Sequence, residues 1–318
     1  MSIKALLGLI LCNVVWSANP AMAKIVLRDF VPAHAALLRY SSALLGYLLA
    51  ILVLSRVKTS LTFFALPKKG RDWLFLFGLG FFAFCFSPFL QLTGLNASRA
   101  TDSALVTALE PLATVFLAWI FLGENLKRTH VFAFLTALAG FALLSGVSLT
   151  PFLDSHFIGN IIILISLVGE ASYSIFGKKL VRSFAPLAVF GSGLTIGVVL
   201  LAVVTFLKAG FLTLDNFNTS NLLALLFLGP LGTTASYIFW MIVLKNAPVA
   251  SIALTLFVQP IMGAVWGNVF LGERLTGLQS FGGVIILMAV FSQSLLGYLP
   301  HGASRFYSRL YIRKNKSE

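Results

Sequence analysis

TDSALVTALEPLATVFLAWIFLGENL, residues 101–126, and ASIALTLFVQPIMGAVWGNVFLGERL, residues 250–275, are two versions of one segment. At an offset of 149 residues Pro111 aligns with Pro260, and Ala104-Leu105 with Ala253-Leu254. The run Phe121-Leu122-Gly123-Glu124 aligns with Phe270-Leu271-Gly272-Glu273. Working outward at the same offset, Gly80 meets Gly229, Ser87 meets Ser236 and Leu95 meets Leu244. A window of about 19 residues moved along the chain marks ten apolar segments, near 5–25, 33–54, 73–95, 103–122, 129–148, 158–177, 186–207, 222–244, 250–271 and 277–297. Each is close to the roughly 20 residues a helix needs to cross about 30 Å of hydrocarbon. Five segments separate equivalent helices, and an odd number reverses direction. The fold class expected is therefore an all-α membrane protein, with ten transmembrane helices arranged as two inverted five-helix repeats. The repeats take residues 1–150 and 151–298, and a basic cytoplasmic tail takes 299–318. Inverted repeats place a site near the bilayer midplane, between the halves.

Composition agrees. The chain has 318 residues, 58% of them hydrophobic and 10% charged, where soluble domains carry about 25% charged residues. So little charge cannot cover a water-facing surface, and lipid is the expected solvent. The net charge of +13 would raise nucleic acid as a partner of a soluble protein. Here the cations sit in short loops between apolar runs, so no nucleic acid is expected. With the N-terminus inside, seventeen Lys and Arg fall on cytoplasmic loops and five outside, which places both termini in the cytoplasm. Lys4 and PAMAK (20–24) resemble a signal peptide with its cleavage site. The first segment has a counterpart in the second half, however, and its removal would break the symmetry. Cys12 and Cys85 both lie in apolar runs and are read as core residues.

The paired EP…FLGE and QP…FLGE helices, with NVVWSANPAMAK (13–24) in the first segment, resemble the drug/metabolite transporter superfamily in its ten-helix EamA-type branch. The resemblance covers nearly the whole chain. It implies a carrier of small organic solutes such as amino acids, nucleotide-related metabolites or drugs, expected to work by alternating access with proton coupling or exchange; uptake of a nucleotide-like metabolite such as S-adenosylmethionine, or a non-transporting membrane scaffold, is the alternative. The expected setting is the bacterial inner membrane, with membrane lipids and a small-molecule substrate as partners and a monomer or homodimer as the assembly.

Ionisable groups inside a membrane are costly and by default functional or paired. Glu110 lies about 4 Å from the centre of its segment and Arg39 about 7 Å from the centre of its own, at about 1.5 Å per residue. Both are displaced outward, so an ion pair that locks two helices and a pair that meets substrate are equally open. Glu170 lies about 4 Å to the cytoplasmic side. GEASYSIFGKKL aligns with VWSANPAMAKIV at an offset of 154, which puts Glu170 where the first half has Trp16. No basic residue is an obvious partner at that depth. Glu170 is expected to bind a substrate ammonium or carry a coupling proton; a protonated carboxyl bonded to a neighbouring helix is the alternative.

The expected cavity wall adds Asn13, Trp16 and Asn19 in the first segment, at i, i+3, i+6 on roughly one face. It also takes Gln91 in the third, Tyr173 in the sixth, Tyr237 and Trp240 in the eighth, and Gln259, Trp266 and Asn268 in the ninth. For each, an interhelical hydrogen bond is the competing role. Pro20, Pro88, Pro111 and Pro260 are expected to break helical hydrogen bonds where the backbone is buried or wet. No Walker-type loop, nucleophile–histidine pair, paired aspartates or metal-ligand spacing is present in the sequence. Neither an enzyme nor a cofactor is expected.

Overall fold

The computed structural model describes residues 3–57, 62–122, 128–144, 155–213, 215–246, 252 and 254–298. The basic tail, Gly123-Glu124 of the first FLGE, and Lys58 and Lys127 of the charge count lie outside the described residues. The described residues are helical, with no strand among them. Among the described residues, seven segments are long and apolar enough to cross a membrane: Ile3–Val26, Pro32–Arg56, Gly70–Ala97, Ala100–Phe121, Ser155–Leu180, Pro186–Ala209 and Thr219–Asn246. Arg128–Leu144, Leu254–Phe257 with Val258–Leu271, and Gly277–Tyr298 are helical where the fifth, ninth and tenth segments were expected.

The polarity of the bundle is that of a protein dissolved in lipid. Leu45, Leu49, Leu52 and Val53 of the second segment and Val199, Val203 and Phe206 of the seventh point outward. Asn13, Arg39, Asp102, Asn160 and Gln259 are buried.

Helix irregularities recur at equivalent places in the third and eighth and in the fourth and ninth segments, whereas the first breaks and its equivalent, the sixth, runs unbroken over Ser155–Leu180. The first segment breaks into Ile3–Ser17 and Asn19–Val26, with Pro20 in the first turn of the second piece. The fourth breaks into Ala100–Thr107 and Glu110–Leu122, with Pro111 just past the break. The ninth passes from a 3₁₀ turn, Leu254–Phe257, into Val258–Leu271, which carries Pro260. The third and eighth each contain a π-helical stretch, Phe82–Phe86 and Phe227–Ala235. Proline removes a donor and crowds the preceding turn, so each such helix restarts close to its proline.

Contacts between the halves give the direction of the repeat. In the second and seventh segments, the Tyr47 hydroxyl donates to the Leu187 carbonyl (3.0 Å), while the Thr205 hydroxyl donates to the Ala33 carbonyl (3.1 Å). In the fourth and ninth, Gly263 faces Ala104 and Gly267 faces Thr101. Numbers rise along one helix as they fall along its equivalent, so equivalent helices run antiparallel. Packing respects the same exchange. The fifth lies on the tenth, the first lies on the eighth and ninth, and the sixth lies on the third and fourth.

Close approach depends on glycine at the crossings. A Cβ at Gly197 would stand 2.2 Å from the Phe84 Cβ and 2.8 Å from the Gly80 carbonyl oxygen. Neither backbone nor a Cβ can swing aside. Overpacking costs about 1–3 kcal/mol, so Gly197→Val is expected to lower the thermal midpoint of the purified protein. Gly277→Val, where nothing lies within 4 Å, should leave it nearly unchanged. Equal midpoints for the two variants would contradict this packing.

Candidate functional site

Between the halves lies a cavity of about 60 Å³, room for a handful of waters at about 15 Å³ each. The first segment supplies Trp16, Ser17, Asn19 and Pro20, the second Arg39, the third Gln91, and the fourth Ser103, Thr107 and Glu110. The second half supplies Glu170, Tyr173 and Ser174 from the sixth, Tyr237 and Trp240 from the eighth and Gln259 from the ninth. The helix breaks explain the convergence. Trp16 and Ser17 precede the break of the first segment and Asn19 follows it, while Glu110 opens the second piece of the fourth.

An aromatic wall is fixed by hydrogen bonds. The Trp16 indole donates to the Gly232 carbonyl in the π-helical stretch (2.6 Å), and its ring lies 5.3 Å from Trp240 and 5.1 Å from Tyr237. The Tyr173 hydroxyl donates to the Tyr237 carbonyl (2.8 Å), and the Trp240 indole to the Ser174 hydroxyl (3.3 Å). Asn13 is held back from the cavity. It accepts from the Gln259 amide (2.8 Å) and donates to the Thr255 hydroxyl (2.9 Å), an interhelical chain behind the wall. Trp266 donates to Ser17 (3.0 Å), and Asn268 donates to the Glu273 carbonyl at an exposed position (3.1 Å). Neither lines the cavity.

The charges are arranged differently from the depth argument. Arg39 and Glu110 line the same cavity without pairing; the ion pair within 4 Å among the described residues is Arg99–Asp102 (3.0 Å). Arg39 instead shares the cavity with Glu170 as well as Glu110, and its guanidinium carbon lies 5.2 Å from the centre of the Tyr40 ring. Glu170 therefore lines the same space as a cation that its depth along the helix does not suggest. Depth along each helix carries no information on how the two halves interlock.

Among the described residues, four buried side-chain atoms lack a hydrogen-bond partner: Asn19 Oδ1, Arg39 Nε, Ser103 Oγ and Glu170 Oε2. All four residues line this cavity. Arg39 is 3% exposed. The other Glu170 oxygen accepts from the Gln91 amide (3.0 Å). Buried polar groups are as a rule bonded, so four orphans around one space mark where a polar guest would sit.

At the start of the helix that carries Ser103, the two halves are tied by a clasp built on the glutamate of the second FLGE. Glu273 Oε1 accepts from the Ala100 backbone N–H (3.0 Å), and Oε2 accepts from the Thr101 N–H (2.8 Å) and hydroxyl (2.9 Å). A carboxylate from the second half thus caps a helix of the first, satisfying donors that a helix start leaves open. Beside it, Arg99 Nη1 donates to the Arg274 carbonyl (3.3 Å). The sequence signal was the glutamate recurring just after each FLG, at the end of an apolar helix.

A family model described as the EamA-like transporter family matches residues 3–146 and again 157–295. The chain belongs to the EamA-like transporter family. Among similar curated proteins, a probable amino-acid metabolite efflux pump of Salmonella typhimurium is 27% identical over 89% of this chain and 92% of its own. Its Escherichia coli namesake is 26% identical over the same shares. An uncharacterized transporter of Archaeoglobus fulgidus is 25% identical over 87% of this chain and 93% of its own. A solved crystal structure at 19% identity superposes with a TM-score of 0.64 over 93% of this chain and 98% of that one, a likeness of fold. This EamA chain is thus a multi-pass membrane protein and a small-solute transporter.

Proposed function

We propose that the protein carries a compact zwitterionic metabolite of amino-acid type across a bacterial inner membrane, by alternating access of the central cavity. The observation that carries this reading is the set of orphaned atoms. Arg39 offers an unused donor and Glu170 an unused acceptor in one enclosed space. A carboxylate at Arg39 and an ammonium at Glu170 would use both, while Asn19 and Ser103 would take remaining polar groups. Trp16, Tyr173, Tyr237 and Trp240 are available for the apolar part of the solute. Asn13 acts from behind, holding the first and ninth segments together through Gln259, which itself lines the cavity. The small volume favours a compact solute over a nucleotide-like one such as S-adenosylmethionine. The relatives named as amino-acid metabolite efflux pumps support the same class.

Glu110, Glu170 and Arg39 line one cavity, two carboxyls to one guanidinium, so with both ionised the empty site would carry surplus negative charge. A proton on the carboxylate pair would balance it before an ammonium arrives, which couples transport to a proton. Glu170→Gln removes both the surplus charge and the ammonium acceptor. It is expected to transport at less than about a tenth of the wild-type rate, since a hydrogen bond to a charged group contributes about 1.5–3 kcal/mol, and its residual rate should no longer depend on pH. Wild-type rate with unchanged pH dependence would overturn the role of Glu170. Counterflow in proteoliposomes tests the class: internal amino acids should accelerate entry of a labelled amino acid, and nucleosides should not. Acceleration by nucleosides alone would favour the nucleotide-like cargo, and none by either would remove this reading.

A further inference from the structure

We propose that the lipid-facing corner where the third, fourth and sixth segments meet binds the headgroup of an anionic phospholipid. Two cations converge there on one ring. The Arg71 guanidinium carbon lies 5.5 Å and the Lys179 ammonium 4.4 Å from the centre of Phe75. Phe75 stacks on Phe176 (6.1 Å), which meets Phe121 edge-on (5.5 Å), so rings from all three segments form one shelf. Lys179 also donates to the Phe121 carbonyl (2.9 Å). Arg182 adds a third cation, and Arg71 and Arg182 both act on Lys179.

Among the described residues no carboxylate stands within ion-pair distance of Arg71, Lys179 or Arg182. Ring faces attract cations but carry no net charge, and like charges drawn together repel. Among the described residues, an anion is what this corner lacks. The placement of charge in loops asks only for cations near the membrane surface; it does not ask that they share a ring. On the same stretch of helix as Arg71, Trp73, Leu74 and Phe77 are 47%, 68% and 49% exposed, a surface for acyl chains. A phosphodiester with its chains attached satisfies both parts, in the manner of basic pockets between helix ends. Free phosphate would use only the first.

The test uses the full chain, delipidated in neutral detergent, and follows its thermal midpoint during titration with phosphatidylglycerol, phosphatidylcholine or inorganic phosphate. Phosphatidylglycerol should raise the midpoint by a few degrees, and high salt should remove the rise. Phosphatidylcholine and phosphate should leave it in place. R71Q/K179Q/R182Q should abolish the phosphatidylglycerol shift. An equal shift with phosphatidylcholine, a shift surviving in the triple variant, or full reproduction by phosphate would overturn the proposal. Should the triple variant fail to fold, phosphatidylglycerol with brominated chains serves instead. It should quench the Trp73 component, read as wild type minus Trp73→Phe, several-fold more than brominated phosphatidylcholine. Equal quenching by the two lipids would overturn it.

Discussion

Arg39→Gln is expected to lose substrate binding by about 30-fold or more while the protein melts no lower than wild type. The first half follows from truncating one partner of a buried charge contact, which costs about 2–5 kcal/mol. The second half follows from the empty site. Arg39 is buried, its Nε has no partner, and it lies outside the ion pair the structure contains. A buried guanidinium held in no salt bridge, with the Tyr40 ring against it at 5.2 Å, is a burden on the fold, and a neutral amide of shorter reach relieves it. A helix-locking pair with Glu110 would behave in the opposite way, since breaking a buried pair is destabilising by about 3–5 kcal/mol. Binding titrations and thermal midpoints on the same preparation separate the two roles. A lower midpoint with unchanged affinity would assign Arg39 to the scaffold.

Glu273→Ala is expected to release the clasp. Three hydrogen bonds to one carboxylate tie the second half to the start of the Ala100–Thr107 helix. Bonds to a charged group contribute about 1.5–3 kcal/mol each when buried, and Glu273 is only half-buried. A net loss of about 2–3 kcal/mol is a reasonable scale, which shifts the balance of open and closed forms by roughly 30- to 150-fold. A cysteine at Ser103, one turn inside the clasp and 1% exposed, reports the change. A membrane-impermeant thiol reagent added on that side should modify it at least about tenfold faster in Glu273→Ala. Glu273→Asp, shorter by one methylene, should fall between. Equal labelling rates would reduce the clasp to a local cap.

How far the sequence reaches differs between the fold and the site. The fold is legible because lipid imposes helix length and because two copies of one segment share a proline and an FLGE ending. Even the breaks near Pro20, Pro111 and Pro260 are local consequences of residues visible in the chain. Much of the cavity was legible too, since Trp16, Asn19, Gln91, Glu170 and Tyr237 are polar or aromatic groups where apolar ones are the rule. What could not be read is which face of one half meets which face of the other. That relation brings Arg39, Glu110 and Glu170 to one cavity without pairing Arg39 to Glu110. It puts Asn13 in a chain with Thr255 and Gln259 instead of on the cavity surface. It also gives Glu273 its partners, which lie more than 170 residues away in the chain. Ser103, Thr107 and Ser174 escaped notice because small hydroxyl residues suit helix packing as well as ligand contact.

Alternating access requires that one polar cavity, shared by two antiparallel halves, be exposed in turn to the two sides of the membrane. The most direct measurement places a single cysteine at Ser174 on the cavity wall, with Cys12 and Cys85 replaced by alanine. A membrane-impermeant thiol reagent is then applied separately to each face of oriented vesicles. The account predicts modification from both faces and protection from both by the same transported solute. Labelling from one face only, or from neither, would contradict it.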